Sequence, residues 1–165
     1  VSSLTFGLPI LLVGAVLQSV WLERAHFTFG RPDLVLLLVV TWSVIRGTEE
    51  GAVWGFVGGL LLDALSGGPP GMWASSLTLV GFVTGQPWGQ ALGSTVLRLA
   101  MMSALGTLLG HSAFIALMLI LGYPVDVPAA YAEIVGPAML LNFLLSPFAF
   151  RFLVWFHQRN LQQGG

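Results

Sequence analysis

Apolar positions in this chain come in long unbroken runs, and strict apolar–polar alternation is absent. Strands of a membrane barrel alternate, so the pattern predicts helices. Six apolar segments emerge between polar interruptions. The first runs from about Leu4 to Leu22. The second opens after Arg31-Pro32-Asp33 and runs to Ile45; proline suits a helix start because its missing donor would be unpaired there anyway. The third runs from Glu50 to about Leu65. The fourth follows Gly67-Gly68-Pro69-Pro70-Gly71 and ends near Gly85. The fifth and longest covers about Ser94 to Leu121. The sixth covers about Pro128 to Trp155 and contains Pro137 and Pro147.

Spanning a hydrocarbon core of ~30 Å takes about 20 apolar helical residues. Unpaired backbone groups cost several kcal/mol each in lipid, which restricts the choice to helices. Segments two, three and four are short, so they require longer neighbours around them or a locally thinned bilayer. The expectation is an all-α polytopic membrane protein. It forms one compact bundle of six transmembrane helices over residues 1–157, with a mobile cytoplasmic tail over 158–165. The stretch Val1 to Leu22 is uncharged, too long for a signal-peptide core and without a basic start, and reads as a membrane helix.

Composition strengthens this picture. Of 165 residues, 56% are apolar and 8% charged, against about 25% charged in an average soluble domain. Six cationic and seven anionic side chains cannot cover a water-soluble surface. A net charge of −1 gives no basic field to attract nucleic acid. The absence of cysteine excludes disulfides, thiolate zinc sites and cysteine nucleophiles. The absence of lysine excludes a Walker-type phosphate loop. Arginine distribution favours both ends in the cytoplasm, with Arg46, Arg98, Arg151 and Arg159 inside and Arg24 and Arg31 outside. Tryptophans fall near the segment ends, where indoles favour the interface: Trp21 and Trp73 outside, Trp42, Trp54, Trp88 and Trp155 inside.

Candidate functional residues are few. Gly51, Gly55 and Gly59 recur every four residues, and Asp63 continues the series. A four-residue step turns about 400°, so they form one slowly drifting stripe. Small residues on a stripe let another backbone approach, either within the subunit or from a partner. Gly81 and Gly85, then Gly106 and Gly110, repeat the spacing. Asp63 is an ionisable residue inside a span, by default a functional candidate; otherwise it reaches water or caps the following turn. Ser103, Thr107 and His111 share one helix face. Counted from Glu50 and Arg98, Asp63 and His111 lie at one depth, about 20 Å in, and are expected to pair. Asn142 and Ser146 suit bonds across helices or the backbone breaks at Pro137 and Pro147. Glu23, Arg24, His26, Arg31 and Asp33 form a polar outer loop, and Arg46, Glu49 and Glu50 an inner one; either is an ordinary solvated turn or a docking surface.

Catalysis finds little support. Asp63 and His111 are too few for a closed metal site. No G-x-S-x-G motif surrounds Ser75 or Ser76. No enzyme activity and no cofactor are expected.

The ordered set Pro32-Asp33-Leu34, Arg46-Gly47, Gly51, Gly55 to Asp63, Ser66 to Gly71 and Ser76 to Gly81 resembles the MreD family of rod shape-determining proteins. Pro70 and the pair Glu49-Glu50 depart from the family pattern. The resemblance implies a six-helix bundle similar to the substrate-binding subunits of energy-coupling-factor transporters. It implies a non-enzymatic scaffold in the bacterial inner membrane, acting in cell elongation and peptidoglycan synthesis. An MreC-like periplasmic protein would be the direct partner, with RodA, a class B penicillin-binding protein and the MreB filament in the same assembly. The family-matching residues are Pro32, Asp33, Arg46, Gly51, Gly55, Gly59, Asp63, Gly67, Pro69 and Gly71. A partner's membrane helix is expected to dock in a groove of small residues. The competing reading, a solute-binding transporter subunit, would have to draw on Gln18, Ser19, Asp63, His111 and Asn142.

Overall fold

A computed structural model describes residues 2–22, 31–87 and 93–163, and all regular structure within them is helical. Helix α1 (Ser2–Val16) passes into a π-helical turn, Leu17–Leu22. Then follow α2 (Leu34–Arg46), α3 (Thr48–Ser66), α4 (Met72–Thr84) and α5 (Thr95–Ile120). A short α6 (Val127–Ala130) runs through a π-helical segment, Tyr131–Val135, into α7 (Gly136–Gln163). Two helices have the length and hydropathy of a membrane span, Thr95–Ile120 and Val127–Phe156. The expected tail is helical as far as Gln163, continuing α7. Of the outer loop, Glu23, Arg24 and His26 lie outside the described residues, as does Trp88.

Helix α2 is the axis. Its residues Val35 to Ser43 are all buried, the condition of a helix that is apolar all round. It packs against α1, α3, α4, α5 and α7. At 13 residues it is about 20 Å long, well short of a ~30 Å hydrocarbon core. Its neighbours enclose it from Val35 to Ser43, while Arg46 at its C-terminal end is exposed.

Helices α3 and α4 make the closest pair, and glycine makes it possible. A Cβ on Gly55 would overlap the Leu77 carbonyl, and one on Gly81 would overlap the Gly51 carbonyl. On Gly59 it would meet Ala74 backbone, and on Gly85 it would lie 2.6 Å from Thr48 Cα. The stripe of α3 is thus filled by α4 of the same subunit. This corrects the expectation that a partner's helix occupies that groove. Gly106 and Gly110 of α5 face side chains instead, where a Cβ would lie 2.8 Å from Val40 Cγ2 and 3.1 Å from Val80 Cγ2.

The end of α2 nearest α3 is tied by aromatic and ionic contacts. Trp42 and Trp54 stack with centroids 4.4 Å apart. Both are buried, Trp54 at 1% exposure, so these indoles are core residues rather than an interfacial belt. Trp42 Nε1 donates to Glu50 Oε2 at 3.0 Å, and Arg46 donates to Glu50 Oε1 at 2.9 Å. That hydrogen bond, then the carboxylate charge, holds the Arg46 guanidinium above its usual pKa. Arg98 reaches from α5 to donate to the Val44 carbonyl at 3.2 Å, satisfying an orphan acceptor at the C-terminal end of α2.

Candidate functional site

Two buried aspartates sit at the starts of the two 13-residue helices. A helix leaves its first four N–H groups without partners. Where the start lies inside a bundle, no water replaces them, and leaving them bare costs several kcal/mol each. Side chains must do the work.

At α4 this falls to Asp63. Its carboxylate accepts from the backbone N–H of Gly71 (2.9 Å), Trp73 (2.9 Å) and Ala74 (3.1 Å). The chain returns on itself to reach it. Gly67 closes α3 in the left-handed region at φ +65°, and Gly71 opens α4 at φ +91°, both unfavourable for residues with a Cβ. Pro69 lies between them, half-buried. The family-matching turn and Asp63 are therefore one device, a cap supplied by the preceding helix. The expected Asp63–His111 pair does not form, because the carboxylate is occupied by α4 and His111 turns to another aspartate.

That aspartate is Asp33, preceded by half-buried Pro32. Gln18, from the π-helical turn after α1, donates Nε2 to Asp33 Oδ1 at 2.5 Å. Its Oε1 accepts the Val35 N–H at 3.0 Å, so Gln18 caps α2 from a different helix. Asn142 of α7 accepts the Asp33 N–H at 2.9 Å and donates to Thr107 Oγ1 at 2.9 Å. Thr107 in turn donates to the Ser103 carbonyl. His111 Nε2 lies 3.3 Å from Asp33 Oδ2. Four elements, α1's extension, α2, α5 and α7, meet in this network.

His111 Nδ1 lies 3.0 Å from the Thr107 carbonyl of its own helix, which turns Nε2 toward Asp33 Oδ2. Trp73 links the two caps: its N–H is on Asp63, and its ring lies edge-on to His111 at 6.0 Å.

Every polar atom named on Gln18, Asn142, Asp33 and His111 is bonded to another part of the chain. Among the described residues no three His, Asp or Glu side chains converge as a metal site would require. Arg46 stands apart, 43% exposed, in its pair with Glu50. Gly51, Gly55 and Gly59 belong to the α3–α4 seam. Sequence reasoning placed Asp33 in a solvated loop and missed its buried role. The available signal was register: Asp33 precedes Arg46 by the same thirteen residues that separate Asp63 from Glu50 and His111 from Arg98.

Residues 2–158 match the family profile described as rod shape-determining protein MreD. The chain belongs to the MreD family. The match extends well beyond the second-to-fourth helices that carried the resemblance, taking in α1, α5 and most of α7. Neither a curated protein nor a solved structure matches the chain. The expected likeness to energy-coupling-factor subunits thus has no structural neighbour behind it. Membership places this MreD-family chain among membrane proteins of cell-shape determination, a family of structural rather than known catalytic proteins.

Proposed function

We propose that this chain is a non-enzymatic scaffold subunit of the bacterial elongation complex, spanning the inner membrane six times with both ends in the cytoplasm. It binds an MreC-like partner directly and helps couple the MreB filament to peptidoglycan synthesis by RodA and a class B penicillin-binding protein. The family match carries this reading, and the closed polar network supports it. A transporter subunit presents convergent polar groups to a solute. Here Gln18, Asp33, Asp63, His111 and Asn142 bond to the chain itself and tie its helices together.

A rigid bundle offers partners its outer faces and end loops. Because α4 fills the α3 glycine stripe, the partner's helix takes another apolar face with small residues. A furrow of about 560 Å³ runs over the outside of α3 and α4, with Ala52, Ala74, Ser75 and Thr78 along it and Phe56 and Phe82 as walls. A few interhelical bonds of ~0.6 kcal/mol each, added to close packing, suit a docking helix.

Purification from native membranes tests the proposal. An MreC-like protein should copurify, and photo-crosslinkers at Phe56 or Phe82 should capture its membrane helix. Copurification of a transporter ATPase module without an MreC-like protein would overturn it.

A further inference from the structure

On the other side of the bundle a second apolar cleft, of about 540 Å³, opens between α1 and α7 over the side of α2. Ile10 and Val13 form one wall, Phe148, Ala149 and Phe152 the other, and Leu38 lies in the floor. No polar side chain lines it.

Its dimensions select an occupant. Along α7 the cleft runs from Leu145 to Phe156, about 17 Å at 1.5 Å per residue. One leaflet of a ~30 Å core is about 15 Å deep. An extended hydrocarbon chain of the leaflet is slim enough to lie along it, and the lining offers it no polar group. Its volume also lies within the ~300–1,000 Å³ of small-molecule sites.

Charge at the open end selects the headgroup. Arg159 follows Phe152 by seven residues, which returns it to within about 20° of the same face of α7. Its guanidinium lies 4.5 Å over the Trp155 ring, the arrangement that anchors an interface. Arg151 stands exposed two turns above. Among the described residues neither arginine has an ion-pair partner. Beyond the end of an apolar slot one leaflet deep lies a fixed positive charge.

We propose that this cleft is a binding site for an anionic glycerophospholipid of the leaflet at the C-terminal end of α7. One acyl chain lies between α1 and α7, and the phosphate rests on Arg159. The lipid completes the packing of α1 and its extension, whose Val13 and Leu17 are otherwise exposed at 58% and 42%.

The test uses the full chain in vesicles. A phosphatidylglycerol with a photoreactive group in its acyl chain should cross-link to peptides spanning Pro9–Leu17 and Leu145–Phe156, in preference to those of α3 and α4. In native mass spectrometry, phosphatidylglycerol should be retained over phosphatidylcholine. Arg159→Gln should reduce that preference about fivefold, the effect of one basic residue near anionic lipid. Ala149→Trp, which fills the slot, should abolish retention. Even labelling across all helices of the wild-type chain, equal retention of both lipids, or cleft labelling by a partner's helix instead of lipid would overturn the proposal. The wild-type labelling decides even if Ala149→Trp fails to fold.

Discussion

Exchanging Asp33 for Asn and His111 for Ala, singly and together, probes the central contact of the polar network. Asp33→Asn keeps the shape and the bond to Gln18 but removes the charge facing His111. His111→Ala removes the imidazole, leaves Oδ2 of Asp33 without that partner, and empties space beside Trp73. A hydrogen bond to a charged group contributes about 1.5–3 kcal/mol. Breaking a buried pair by deleting one partner costs roughly 3–5 kcal/mol. Interhelical bonds in membranes measure lower, about 0.6 on average, because the unfolded chain also finds partners there. Each single exchange should therefore cost about 2–4 kcal/mol, and the pair should show a coupling of about 1–3 kcal/mol.

Reversible unfolding in mixed detergent–dodecyl sulfate micelles, followed by tryptophan fluorescence, gives the four free energies. Asp63→Asn combined with His111→Ala supplies the control. Those residues share no hydrogen bond and meet only through Trp73, so their coupling should be smaller than that of Asp33 with His111. Additive losses for Asp33 and His111 would refute the direct contact and the clamp built on it.

Other expectations follow from the same geometry. Gly55→Ala and Gly81→Ala drive a methyl into backbone carbonyls and should cost about 3 kcal/mol or more, whereas Gly58→Ala meets only side chains, the nearest Val35 Cγ1 at 2.8 Å, and should cost less; thermal midpoints in detergent rank them. Asp63→Ala should lose about 2 kcal/mol as the α4 cap disappears, with Asp63→Asn intermediate because one oxygen can still accept; the same unfolding assay orders the three. Trp54→Ala should cost about 3–5 kcal/mol, because it empties a fully buried site stacked on Trp42, and circular dichroism melting reads the loss.

Helix existence and order were legible because lipid admits few alternatives, and Pro32, Gly67 and Gly71 punctuate the chain where backbone geometry demands it. The glycine stripe was legible as a packing seam. Its partner was not, since spacing says that a backbone comes close and not whose backbone it is. Counting from Glu50 and Arg98 spoke only to depth, and azimuth lay beyond its reach. Two residues at equal depth on different helices can face each other or turn away, and only the packing around α2 decides. Asp33 was legible as a polar-loop and family-matching residue but not as a buried one, because Arg31-Pro32-Asp33 reads as a loop. Trp54 misled for a related reason. An indole near a segment end resembles an interfacial anchor, but Gly7 of α1 leaves it room to pack inward.

The two aspartates answer one physical problem. A 13-residue helix is about 10 Å shorter than a hydrocarbon core, and α2 and α4 each begin against a buried aspartate. A carboxylate suits that place, because the partial positive charge of a helix start favours it. The environments then diverge. Asp63 takes three backbone donors from the turn it helped to fold, and its cap is local. Asp33 has no such turn, and α2 draws its caps from distant segments, Gln18 after α1 and Asn142 in α7, while His111 of α5 faces its second oxygen. Removing one donor from Asp63 therefore weakens a hairpin. Removing one from Asp33 loosens the contact among four helices at once.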